Sequence, residues 1–134
     1  MRRPAAPVIR TALFAALVAG AVAQAATPTE LQAAYSTQSG VQASAENGRQ
    51  LFTTPRGREW SCASCHGSVP IQPGRHASTG KPIATLAPAF NPQRFTDAKK
   101  TEKWFRRNCN DVIGRECSAA EKADVLAWLR TLVP

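Results

Sequence analysis

Residues 62–66 read Cys-Ala-Ser-Cys-His: two cysteines three apart, with a histidine directly after the second. This spacing constrains the fold, because one short turn then brings two sulfurs and an imidazole to one patch. Three chemistries use paired cysteines of this kind. A thiol–disulfide pair calls for a strand before it and a helix opening at the first cysteine, whereas Pro55, Gly57 and a loop precede this one. A zinc site would have to recruit Cys109 and Cys117, whose seven intervening residues are far from the usual ligand spacing. The third is the attachment sequence for haem c: both sulfurs meet the porphyrin vinyl groups as thioethers, and the histidine turns onto the iron from one side. One covalent haem c is expected, held by Cys62 and Cys65, with His66 as the proximal iron ligand.

The N-terminal residues suit that chemistry. Arg2, Arg3 and Arg10 give a positive start, an apolar run from Ala12 to Ala23 follows, and Ala23-Gln24-Ala25 is an A-x-A cleavage site. The run is short for a membrane span, which needs about 20 residues. Residues 1–25 are expected to be a secretory signal peptide cleaved near Ala25/Ala26, leaving a periplasmic monohaem domain over 26–134. All four cysteines fall in the exported part, where disulfides are permitted. The formal charge of +8 becomes +5 once the three signal arginines are removed. A basic exported protein suits acidic partners. Nucleic acid is not expected, because the bases are scattered and export separates the chain from it.

Short helices account for most of the rest. Thr27-Pro28-Thr29-Glu30 is a capping box with proline at the first position; Leu31, Ala34 and Tyr35 form a stripe, and Gly40 is a stop. A second helix starts at Ser44, with Gly48, Leu51 and Phe52 on one face and a close helix crossing expected at Gly48. Residues 68–95 hold Pro70, Pro73, Pro82, Pro88 and Pro92 with Gly74 and Gly80, which predicts a long irregular loop. Thr96 should cap a helix running to about Arg107, with Thr101, Trp104, Phe105 and Asn108 on one face and Glu102 paired to Arg106. Ser118 and Glu121 make a further capping box, followed by the stripe Val125, Trp128, Leu129 and Leu132. No strand pattern competes. The fold expected is all-α and resembles a class I cytochrome c, with short helices around one haem and a long Pro-rich loop. In such cytochromes the terminal helices cross near a glycine and an aromatic, which Gly48 and Trp128 match.

The sixth ligand is the open question. Carriers of this class usually supply a methionine, and the only methionine here is Met1. His76, Lys81 and Asn108 are the candidates on residue type and placement. The segments GKPIATLAP, PQRFTD, EKWFRRNCN, VIGREC and EKADVLAWL closely resemble the sphaeroides haem protein family, oxygen-binding class I cytochromes c with an asparagine haem ligand. The resemblance covers essentially the whole exported chain and departs from the family at the RGREW loop and at Pro70 and Pro73. It implies that Asn108 is the sixth iron ligand in the oxidised protein and that Cys109 and Cys117 form a disulfide beside it. A neutral amide oxygen is a hard donor that suits ferric better than ferrous iron, so reduction should open the site to oxygen, nitric oxide or carbon monoxide. The resemblance further implies a di-haem cytochrome c and a membrane b-type cytochrome as electron donors. Electron transfer and ligand binding are expected ahead of dedicated turnover, with oxygen or nitric oxide chemistry as a further suggestion and a monomer or weak dimer as the assembly. The alternative is a simple periplasmic electron shuttle whose haem is closed by His76 or Lys81.

Overall fold

Three of the four helix caps written into the sequence, Thr27, Ser44 and Ser118, open helices in the structure. The structure is a computed structural model that describes residues 25–134, so the expected signal peptide lies almost wholly outside the described residues. Helix α1 spans Pro28–Ser39; Thr27 and Glu30 form the complete capping box, and Gly40 ends the helix in the left-handed region. Helix α2 spans Ala45–Thr53 with Ser44 as N-cap. Helix α3 is the single turn Ala63–His66. Helix α4 spans Ala98–Ile113 and helix α5 spans Ala119–Leu129, the latter opened by the Ser118/Glu121 capping box.

Two expectations need correction. The Pro-rich segment is not wholly irregular: β1, Gly74–Arg75, pairs antiparallel with β2, Pro82–Ile83. Helix α4 is capped by Asp97, whose side chain accepts from the Lys100 N–H at 2.9 Å, rather than by Thr96. It also runs about a turn and a half past Arg107. Asn108 looked like a helix stop because asparagine is a modest helix former and a common cap. The real stop is Gly114, which takes φ 82° and donates its N–H to the carbonyls of Cys109 and Asn110.

Helix α5 is the centre of the packing and lies against both α1 and α2. Its crossing with α2 is set by Gly48. A Cβ there would stand 2.0 Å from the Asp124 carbonyl oxygen, so backbone meets backbone with no room for a side chain. The Asp124 carboxylate also accepts the Ser44 N–H at 2.6 Å, which ties the start of α2 to α5. Phe52 and Trp128 pack ring to ring at 4.9 Å across this crossing. One core cluster joins Leu51, Phe52, Val125, Trp128 and Leu129; a second joins Leu31, Tyr35, Ala123 and Leu126. Leu126 and Leu129 are fully buried, and burial of such a side chain stabilises by about 1.5–3 kcal/mol.

Phe95 and Phe105 pack against both clusters. Phe95 does so at a cost, with φ 59°, a left-handed conformation that disfavours a Cβ-bearing residue by about 1–2 kcal/mol. That backbone turn lies two residues before the Asp97 cap, and the Phe95 ring lies against Phe105, 6.5 Å between centroids.

Candidate haem site

The Cys-x-x-Cys-His segment forms one turn of helix. The His66 and Gly67 N–H groups donate to the carbonyls of Cys62 and Ala63 at 3.0 and 2.8 Å, and the Ser64 hydroxyl accepts the Ser61 N–H at 3.0 Å. Residues three and four apart share a helix face, so this turn brings Cys62, Cys65 and His66 together. The β1–β2 hairpin closes over it: a Cβ on Gly74 would meet the Cys65 carbonyl oxygen at 2.1 Å, and the Ala77 N–H donates to Cys65 Sγ at 3.2 Å.

Electrostatics at this turn suit metal ligation. Burial, helped by the Arg94 guanidinium, pushes the His66 imidazole down to about 4, so its ring is neutral and has a lone pair to offer at neutral pH. Burial also pushes the Cys62 thiol up to about 11. A thiol–disulfide catalyst needs the opposite shift, which argues against that reading. A four-cysteine zinc site is not assembled among the described residues, since Cys109 and Cys117 are bonded to each other with Cα atoms 5.6 Å apart. The surroundings fit a large apolar cofactor. Cys62, Ala63, Leu86, Phe95, Phe105 and Ile113 all pack against the Phe52/Trp128 cluster yet stay only partly buried, an apolar wall that a porphyrin would complete. The His66 ring stands 6.1 Å from Phe52 at the base of that wall.

One face of helix α4 carries Thr101, Phe105, Asn108 and Val112, at i, i+4, i+7 and i+11, and Phe105 reaches the Phe52/Trp128 cluster. Thr101 is buried, Phe105 and Val112 are half-buried, and Asn108 is exposed between them. Its carboxamide makes no hydrogen bond among the described residues. Asn110, two positions on, donates its amide to the Arg106 carbonyl at 2.7 Å. Trp104, expected on the same face, lies at its margin, 42 % exposed with the Arg107 guanidinium 5.5 Å from its ring. The last turn of α4 is stapled through the buried Cys109 and Cys117 to the cap of α5, and Arg115 forms a two-pronged ion pair with Glu121 across the same loop at 2.7 and 2.8 Å.

The other candidate ligands are placed differently. His76 sits in the hairpin turn, where its Nδ1 lies 3.2 Å from the Ser78 hydroxyl and accepts the Thr79 N–H at 3.4 Å. Lys81 is exposed at the far side of the same turn. The expected Glu102–Arg106 pair does not form. Glu102 instead takes the Lys122 ammonium at 2.5 Å and the Tyr35 hydroxyl at 2.8 Å, because its helix face is turned toward α1 and α5. Sequence reading also missed Arg94, which donates to the Thr85 and Ala84 carbonyls at 2.8 and 2.5 Å and lies close enough to His66 to shift it. A single arginine in a Pro-rich loop carries no signal of such a role.

Comparison with known proteins bears on the family and the fold. The profile of the family described as Domain of unknown function (DUF1924) matches residues 38–129. The cytochrome c-type protein SHP of Cereibacter sphaeroides is 47% identical over 125 residues, covering 90% of this chain and 96% of that protein. The structure of oxidised SHP, described as an oxygen-binding cytochrome c, superposes with a TM-score of 0.75 at 46% identity, over 81% of this chain and 99% of that one. The solution structure of cytochrome c'' from Methylophilus methylotrophus, described in terms of haem-ligand detachment, gives a TM-score of 0.68 at 37% identity, over 80% of this chain and 94% of that one.

Proposed function

The chain belongs to the SHP family of c-type cytochromes, and from that premise we propose that Asn108 is a redox-gated sixth ligand to its haem iron. The protein carries covalent haem c, as its relatives do; Cys62 and Cys65 would form the thioethers and His66 the proximal bond. When bound, the haem supplies one-electron redox chemistry and, in the ferrous state, affinity for oxygen, nitric oxide or carbon monoxide. The observation that carries the proposal is the contrast between two asparagines. Asn110 is committed to the helix backbone, while the Asn108 carboxamide is unengaged on the row that includes Phe105. Its oxygen is a hard donor, matched to ferric iron and released by ferrous iron. The haem-ligand detachment named for cytochrome c'' supports a ligand of this leaving kind, and the oxygen binding named for SHP supports access for a diatomic molecule afterwards. The protein would act in the periplasm, receiving electrons from a di-haem cytochrome c or a membrane b-type cytochrome.

The test is the visible spectrum in both oxidation states, with and without carbon monoxide. The wild type should be low-spin when oxidised and five-coordinate high-spin when reduced. Asn108→Ala should change the oxidised spectrum, making it pH-dependent as water or hydroxide takes the position, and should leave the reduced spectrum and carbon monoxide affinity nearly unchanged. Asn110→Ala should do neither. A silent Asn108→Ala together with a changed spectrum in His76→Ala would replace this reading with a closed electron shuttle.

A further inference from the structure

We propose that the groove between α1 and the N-terminal half of α4 docks an acidic protein surface with an apolar centre. This rests on the protein exchanging electrons with a macromolecular partner. The groove has a volume of about 510 Å³, with a floor of Leu31, Ala34 and Tyr35 and a wall that includes Lys99, Lys103 and Arg106.

Charge placement on α4 is the first argument. Lys99 and Lys100 stand in the first turn, where the helix dipole disfavours cations, and Asp111 stands near the end, where it disfavours anions. Local stability would choose the reverse, and violations of a local rule concentrate at functional surfaces. Glu102 is the second argument. It is the one acid among the five cations of residues 99–107; it too lines the groove and is 43 % exposed, but its carboxylate is engaged by the Lys122 ammonium and the Tyr35 hydroxyl. Lys99, Lys100 and Lys103 therefore form no ion pair among the described residues. A concave apolar floor walled by unneutralised cations is complementary to an acidic protein face. Rim charges of this type govern encounter rate and orientation.

The structure also divides the basic residues. Arg58 packs beside Gly114 at the far end of α4, and the 1.5 Å rise per residue sets that end roughly 20 Å from Lys100. Arg56 lies in a separate cleft with Asn47, Glu121 and Asp124. These arginines therefore provide a matched control of equal charge.

The experiment follows amide shifts of isotope-labelled oxidised holoprotein titrated with a glutamate-rich peptide carrying one central leucine, and separately with vesicles of phosphatidylglycerol and phosphatidylcholine. Oxidised protein is used so that binding does not depend on release of Asn108; the Asn108→Ala spectra and this titration can fail separately. Shifts should gather on α1 and residues 98–106. Lys99→Gln/Lys103→Gln should weaken peptide binding roughly threefold to tenfold, as loss of two exposed pairs would, while Arg56→Gln/Arg58→Gln leaves it unchanged. Equal weakening by both pairs would show diffuse charge attraction and overturn the proposal. Vesicle binding through α4 without peptide binding would overturn it in favour of a membrane face. Unchanged Soret and far-ultraviolet spectra establish that each variant is folded.

Discussion

The α1–α2–α5 side of the molecule and the α3–loop–α4 side are built on different terms. On the first side, helices meet directly: Gly48 lets α2 touch the α5 backbone, and Leu126 and Leu129 lie wholly inside. On the second, the large apolar side chains stop short of burial, while the smaller Pro70, Ala87 and Cys109 are buried. Phe105, Ile113 and Leu86 reach the core with one face only, and Trp104 is 42 % exposed. The first side can be completed by protein alone. The second is shaped for a cofactor, and a domain of this size gains much of its core from one. If the haem sits on the second side, as proposed, substitutions on the two sides should fail in different ways.

The largest effect should come from removing the cofactor. Cys62→Ala/Cys65→Ala should lose haem on denaturing electrophoresis and leave a chain of low helical content by circular dichroism. A well-folded haem-free chain would mean that the α1–α2–α5 side suffices, and that the contrast between the two sides is overstated.

Gly48→Ala should act on the packed side alone. Its Cβ would fall 2.0 Å from the Asp124 oxygen, and backbone cannot yield as a flexible side chain does. A loss of about 3 kcal/mol in chemical denaturation is expected, typical of overpacking at its upper end, with haem attached and the reduced spectrum unchanged.

The smallest effect lies where the sides join, at Glu102. Burial would raise its carboxyl, but the hydrogen bonds from Lys122 and Tyr35 outweigh burial and hold it below its usual 4.5. A depressed folded value means that the contribution is present above about pH 4.5 and lost as pH falls through the folded value. Lys122→Met should therefore cost about 1 kcal/mol at pH 7, since its partner is half exposed and can be rehydrated. That cost should shrink on acidification, as measured by denaturation midpoints at pH 7 and pH 3. A cost independent of pH would assign Lys122 a packing role only.

Much of this was legible because the signals are local. A capping box states itself in four residues, as at Thr27–Glu30 and Ser118–Glu121. The Cys-x-x-Cys-His turn does so in five, which is why that turn and three of the four helix caps were legible, whereas Thr96 and Asp97 stand side by side and only the structure chooses between them. The end of α4 was misread because Asn108 and Gly114 both resemble stops. Only the left-handed geometry at Gly114, beside the Cys109–Cys117 staple, shows which one ends the helix. Glu102 was assigned to Arg106 because i, i+4 spacing is visible in a sequence and a partner twenty residues away is not.

What the sequence by itself determined is the range of chemistry: a Cys-x-x-Cys-His motif, a chain whose only methionine is Met1, and a short list of candidate ligands. These follow from residue type and spacing, which need no third dimension. The tertiary structure decided which side chains are free to act. It tied Asn110 to its own helix, left Asn108 and three lysines of α4 without side-chain partners among the described residues, paired Glu102 with Lys122, and set Arg58 at the opposite end of α4 from those lysines. Each of these outcomes depends on which face of a helix meets which neighbour, and that is settled by packing between segments far apart in the chain.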